Sequence, residues 1–193
     1  MKIAIIKYNA GNIRSVDFAL RRLGYDPIIT GDHEIIRNAD KVIFPGVGEA
    51  GTTMKYLRDY GLDILIRDLK QPVFGICLGL QLLCSLSEEG NTRCIGIFNE
   101  TVRKFEARDK IPHMGWNTIN QIRKNILSDD LNGQHVYFVH SYYAPVCKFT
   151  VAVTDYIQPF SSALKKDNFF ATQFHPEKSG IVGEKILKRF LES

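Results

Sequence analysis

The sequence predicts an α/β fold, a single domain over residues 1–193 with a mostly parallel central sheet flanked by helices and additional antiparallel strands in the C-terminal half. Three observations carry this. Short apolar runs such as KIAIIK (Lys2–Lys7) and PVFGI (Pro72–Ile76), of the kind a strand covered on both faces needs, alternate with segments whose apolar residues recur at helical spacing. The links between them are short, which implies parallel strands with crossover helices. From about residue 95 the texture shifts to Thr, Val, Phe and Tyr, and the links lose helical periodicity.

Taken in order, Lys2–Lys7 is the first strand, and after the turn NAGN the residues Val16, Ala19, Leu20 and Leu23 mark a helix that Gly24 closes. Asp26–Thr30 reads as the second strand and Lys41–Phe44 as the third. Leu62, Leu65, Ile66 and Leu69 mark an amphipathic helix, Pro72–Ile76 is the fourth strand, and Leu80, Gln81, Leu82 and Leu83 begin another helix with Cys84 inside it. Segments near 101–105, 116–119, 135–139, 150–154 and 168–174 read as further strands. Val182, Ile186, Leu187, Phe190 and Leu191 end the chain as an amphipathic helix. No repeat, low-complexity tract or long linker divides the chain.

Composition narrows the function. Apolar residues make up 45% and charged residues 24%, as in globular domains. Folding at this length buries about 70% of the unfolded surface, so no metal or disulfide staple is needed. Lys and Arg exceed Asp and Glu by 25 − 21 = 4, with no basic run of five, so nucleic acid is not an expected partner. Cys77, Cys84, Cys94 and Cys147 form no C-x-x-C pair, which points to reduced thiols in the cytoplasm and no metal site. No apolar segment reaches the roughly 18 residues a membrane span requires, and the N-terminal apolar run meets Lys7 too early for a secretion signal.

The third strand runs into Gly46-Val47-Gly48-Glu49-Ala50-Gly51, which satisfies G-x-G-x-x-G. A dinucleotide site needs that motif after the first strand and an acidic residue ending a strand about 20 residues on, and neither condition is met. Backbone N–H groups offered to an anion or oxyanion are the better use of the loop. The fourth strand delivers Gly75-Ile76-Cys77-Leu78-Gly79, a nucleophile elbow with Cys in the position where hydrolases carry Ser. There the helix N-terminus favours a thiolate, and the Leu78 N–H can meet a developing oxyanion.

A base for this nucleophile is found in His175. It ends the apolar strand Phe169–Phe174, and Pro176 biases it toward an extended backbone. Two residues on in an extended stretch, Glu177 faces the same side and can orient the imidazole. Cys84, Cys94 and Cys147 lack such a frame and read as core. His113, placed in a loop beside Pro112, and His33 read as non-catalytic. His135 and His140, five apart on a strand, face opposite ways and share no metal.

On GICLGLQLL and QFHPEKS the sequence resembles the class I (triad) glutamine amidotransferases, whose fold is flavodoxin-like. PGVG, PHMGWN (112–117) and YFVHSYY (137–143) are similar to the branch serving histidine biosynthesis. The resemblance spans essentially the whole chain. It implies Cys77 as nucleophile, His175 as base and Glu177 as its partner. Gly48, Gln81, Ser141 and Tyr142 match positions that hold glutamine, and the Gly46–Val47 peptide with the Leu78 N–H matches the oxyanion hole. It further implies a cyclase subunit that receives ammonia through a sealed passage and makes imidazole glycerol phosphate. Asn12, Trp116 and Lys178 fall on the face toward that partner, and no cofactor is expected. Two stretches depart from the family pattern: Lys7-Tyr8-Asn9-Ala10-Gly11-Asn12, and Glu49 to Thr53 after the oxyanion loop. An amidotransferase subunit for another acceptor, such as a nucleotide-sugar enzyme, and a non-catalytic binding module are the competing readings.

Overall fold

The computed structural model describes residues 1–9, 11–120, 123 and 129–193. The first half comprises β1 (Ile3–Ile6), α1 (Ile13–Arg22), β2 (Ile28–Thr30), α2 (His33–Arg37), β3 (Lys41–Gly46), α3 (Ala50–Asp59), α4 (Leu62–Asp68), β4 (Val73–Cys77) and α5 (Leu78–Leu83). Then follow β5 (Cys84–Ser87), β6 (Thr92–Arg93), β7 (Phe98–Lys104), β8 (His113–Thr118), β9 (His135–His140) and β10 (Tyr142–Tyr143). The last elements are β11 (Thr150–Tyr156), β12 (Gln158–Lys166), β13 (Phe169–Thr172) and α6 (Gly180–Glu192).

The main sheet has the order β11-β12-β13-β4-β3-β1-β2. Its parallel part, β2-β1-β3-β4-β13, is the strand order of a flavodoxin-like doubly wound sheet, and β12 and β11 extend it antiparallel. Every residue of β1 is buried, and alternate ones serve different cores. Ala4 and Ile6 join Phe44, Leu57, Leu65 and Leu83 on one face, while Ile3 and Ile5 join Val16, Leu20, Phe138 and Phe190 on the other. A four-stranded sheet, β10-β7-β5-β6, and the hairpin β8-β9 stand beside it.

Several elements differ from the sequence expectation for identifiable reasons. β3 runs on to Gly46 because it keeps pairing with β4 up to Cys77. β2 begins only at Ile28, after Pro27, which has no N–H to give a ladder. α3 is an addition, started by the Glu49 carboxylate accepting the Gly51 and Thr52 N–H groups. α5 stops after six residues, so Cys84 is not helical: it opens β5, which pairs with β6 and β7. His113 is not in a loop but is the first residue of β8, opposite His140. β12 was unread because its hairpin with β11 turns at Ile157, a residue with φ 58° and none of the Gly or Asn signal such turns show.

Candidate active site

β4 passes into α5 with no intervening residue, and Cys77 takes up the change of direction at φ 54°, ψ −106°. Such a backbone is costly for a residue with a side chain and persists only where its surroundings enforce it. The glycines on either side make room. A Cβ on Gly79 would lie 2.0 Å from the Phe44 carbonyl oxygen, and one on Gly75 would lie 2.8 Å from Leu83 Cδ1. Cys77 therefore stands at the carboxyl edge of the parallel strands, at the wall of a cleft of about 350 Å³. Val47, Gly48, Leu78, Gln81, Glu89, Val139, His140, Ser141 and Tyr142 also line it.

His175 is fully buried just beyond β13, with the extended backbone that Pro176 demands. Its Nδ1 lies 2.7 Å from Glu177 Oε1. Glu177 reaches the ring by a different route from the extended stretch expected, since Pro176–Lys178 is a 3₁₀ turn. Ser179 locks that turn: its hydroxyl donates to the His175 carbonyl and accepts the Tyr137 N–H. Asn12 Nδ2 donates to the same Glu177 oxygen, so this side chain is engaged beside His175 rather than free on an outer face. Burial alone would lower the imidazole pKa, but the Cys77 sulfur and the Glu177 carboxylate outweigh it and hold the pKa up to about 10. Nε2, buried with no other protein hydrogen bond, is left for that sulfur.

Gly46, the last residue of β3, pairs with Cys77 of β4, and a Cβ there would meet the Tyr8 hydroxyl and, at 3.0 Å, Leu78 Cβ. Tyr8 donates its hydroxyl to the Pro45 carbonyl, anchoring the root of the loop, while Gly48 carries φ 128°. Ala10 lies outside the described residues. Gln81 is buried, its amide donating to the Tyr142 carbonyl at 2.9 Å and to Gln173 Oε1 at 3.1 Å. Two residues at the site had no sequence signal. Gln173 donates to Cys77 Sγ at 3.6 Å, and Glu89 brings a carboxylate to the cleft while one of its oxygens accepts the Ala50 N–H at 2.8 Å. Burial pushes the Glu89 pKa up, the Ala50 N–H works against this, and Glu49 adds to the rise. Away from the cleft, Trp116 is 57% exposed and sits edge-on to Tyr137, over whose ring the Lys178 ammonium lies.

Residues 4–193 match the family described as Glutamine amidotransferase class-I. The chain belongs to the class-I glutamine amidotransferases. Within that family it is 61% identical, over the whole of both chains, to the imidazole glycerol phosphate synthase subunit HisH of Bacteroides fragilis (strain YCH46). It is 46% identical to the HisH subunit of Idiomarina loihiensis, over 100% of this chain and 98% of that one. A crystal structure of a glutamine amidotransferase, 20% identical, superposes with a TM-score of 0.76 over 98% of this chain and 97% of the other, and so shares the fold.

Proposed function

We propose that this chain is the glutaminase subunit of an imidazole glycerol phosphate synthase in histidine biosynthesis, hydrolysing glutamine to glutamate and ammonia that passes to a cyclase subunit. The observation that carries the reading is one constellation: a cysteine on a strained elbow, a buried histidine whose free nitrogen is left for its sulfur, and a carboxylate 2.7 Å from the other nitrogen. The Cys77 thiolate attacks the carboxamide carbon, forming a C–S bond, and the carbonyl oxygen becomes an oxyanion. The Leu78 N–H and the Gly46–Val47 peptide receive that charge, each donor contributing about 3–4 kcal/mol. His175 gives its proton to the departing ammonia, the C–N bond breaks, and a thioester remains. Water, deprotonated by His175, then releases glutamate. Gly48, Gln81, Ser141 and Tyr142 form the walls for the substrate, and the Glu89 carboxylate suits the ammonium group of an α-amino acid.

Ammonia released into water would be protonated and lost, so the partner must receive it directly. Asn12, Trp116 and Lys178 mark the face we assign to the cyclase subunit, Asn12 joining it to the triad through Glu177. Four unpaired cysteines fit the reducing cytoplasm, and among the described residues no helix is long and apolar enough to cross a membrane. The test is cyclase product formation by the two-subunit complex with each nitrogen source in parallel. Cys77→Ser should abolish turnover with glutamine yet leave turnover with ammonium salt at high pH intact. Equal loss with both sources would overturn the reading.

A further inference from the structure

A continuous chain of hydrogen bonds runs from β8 to the sulfur of Cys77. Asn117 Nδ2 lies 3.3 Å from His113 Nε2, His113 Nδ1 lies 3.0 Å from His140 Nε2, and His140 Nδ1 lies 2.8 Å from the Tyr142 carbonyl. A carbonyl only accepts, so His140 carries its proton on Nδ1 and accepts at Nε2. His113 must then donate from Nδ1, and its Nε2 accepts from the Asn117 amide. The two ends thereby set every proton between them. The Tyr142 carbonyl takes a second bond from Gln81, Gln81 also donates to Gln173, and Gln173 donates to the sulfur.

The setting makes a bystander role expensive. Both rings are buried, and His113 stacks on Tyr156 at 4.0 Å and on Phe138 at 4.8 Å, with Phe105 and Phe160 edge-on to it. An apolar pair of the same shape would fill this cage without desolvating four ring nitrogens. Burial lowers the pKa of His113 to about 4 and, with the neighbouring histidines adding to it, that of His140 to about 3, which keeps both neutral as the proton order requires.

We propose that His113 and His140 are positioning residues of the glutaminase, whose ordered pair holds the Tyr142 carbonyl and, through Gln81, aims the Gln173 amide at the Cys77 sulfur. This rests on the reading of Cys77 as nucleophile. A donor aimed at the sulfur stabilises the thiolate, and a fixed Tyr142 carbonyl holds the Ser141–Tyr142 wall of the cleft.

The test follows iodoacetamide alkylation of Cys77 across pH in the full chain, alongside kcat and KM for glutamine with the cyclase subunit bound. His113→Phe keeps the stacking but removes the donor, and should move the alkylation profile to higher pH and lower kcat/KM about tenfold. His113→Asn, which restores a donor, should recover most of both. In a Gln173→Met background His113→Phe should add little, because the chain is already cut. His140→Asn, which can still donate to the Tyr142 carbonyl, should lose less of both than His140→Leu, which cannot. Wild-type alkylation profiles and kcat/KM in folded His113→Phe, or additive effects of His113→Phe and Gln173→Met, would overturn the proposal. If the wild-type complex hydrolysed no glutamine, the functional reading would fall, and the alkylation profiles would still decide the role of the pair.

Discussion

Three of the five histidines are buried; burial pushes two of them down, while the Cys77 sulfur and the Glu177 carboxylate hold the third up. His113 and His140 are held at about 4 and about 3, while His175 is raised to about 10. For the first two the folded pKa lies below the unfolded value of about 6.5, so the unfolded chain binds more protons and stability falls as the pH drops from about 6.5 toward about 3. His175 has the opposite sign: its contribution is complete below pH about 6.5 and is lost as the pH rises through about 10, so it leaves the acid window flat. Each of the neutral pair should contribute a slope approaching about 1.4 kcal/mol per pH unit between pH about 4.5 and 5.5, where the unfolded imidazole is protonated and the folded one is not. Urea unfolding across that window should therefore show about half the wild-type slope in His113→Phe; an unchanged slope would mean that His113 is not held neutral. Cys77, His175 and Glu177 were legible in the sequence because the elbow and His-Pro-Glu are local patterns with a mechanism. The His113–His140 pair was not, because its members lie 27 residues apart and meet only through the pairing of β8 with β9.

At the scale of elements, the site depends on how closely α5 is set against β3. Gly79 touches the Phe44 carbonyl so tightly that no side chain fits, and Gly183 in α6 has the same relation to the Pro176 carbonyl, whose oxygen would lie 1.8 Å from an added Cβ. The first contact places Cys77, and the second seats the turn that carries Glu177. Gly79→Ala is expected to destabilise the protein by more than about 2 kcal/mol in chemical denaturation, because backbone rather than a pliable side chain must move. Glutamine turnover in the fraction that folds should fall with it, and wild-type stability would show that α5 has slack. The elbow was readable as strand, glycine, nucleophile, glycine and helix. Where α5 ends was not: Leu80 to Leu83 continue a helical pattern, and Cys84 turns extended because β5 has β6 and β7 to pair with.

On the scale of the whole molecule, the doubly wound sheet gathers the loop after β3, the elbow after β4 and the histidine after β13 at one edge, since these strands are adjacent and parallel. β8 and β9 close that edge from the side and present Trp116 to solvent. A Trp exposed by more than half contributes little to its own fold and is the kind of residue that anchors an interface. Trp116→Ala should change thermal stability by less than about 0.5 kcal/mol and weaken association with the cyclase subunit about tenfold or more in calorimetric titration. The reverse pattern, lost stability with unchanged affinity, would make it a packing residue. What the sequence by itself determined was the chain succession of the first four parallel strands, helices α1, α4 and α6 with the start of α5, and the three chemical groups, because these depend on periodicity and on motifs a few residues long. Only the tertiary structure decided that β12 joins β11 to the parallel strands, that Asn12 serves Glu177, that Gln173 and Glu89 stand at the cleft of the nucleophile, and that His113 meets His140. Those relations join residues far apart in the chain, and their energy comes from burial and from hydrogen bonds that exist only once the strands have paired.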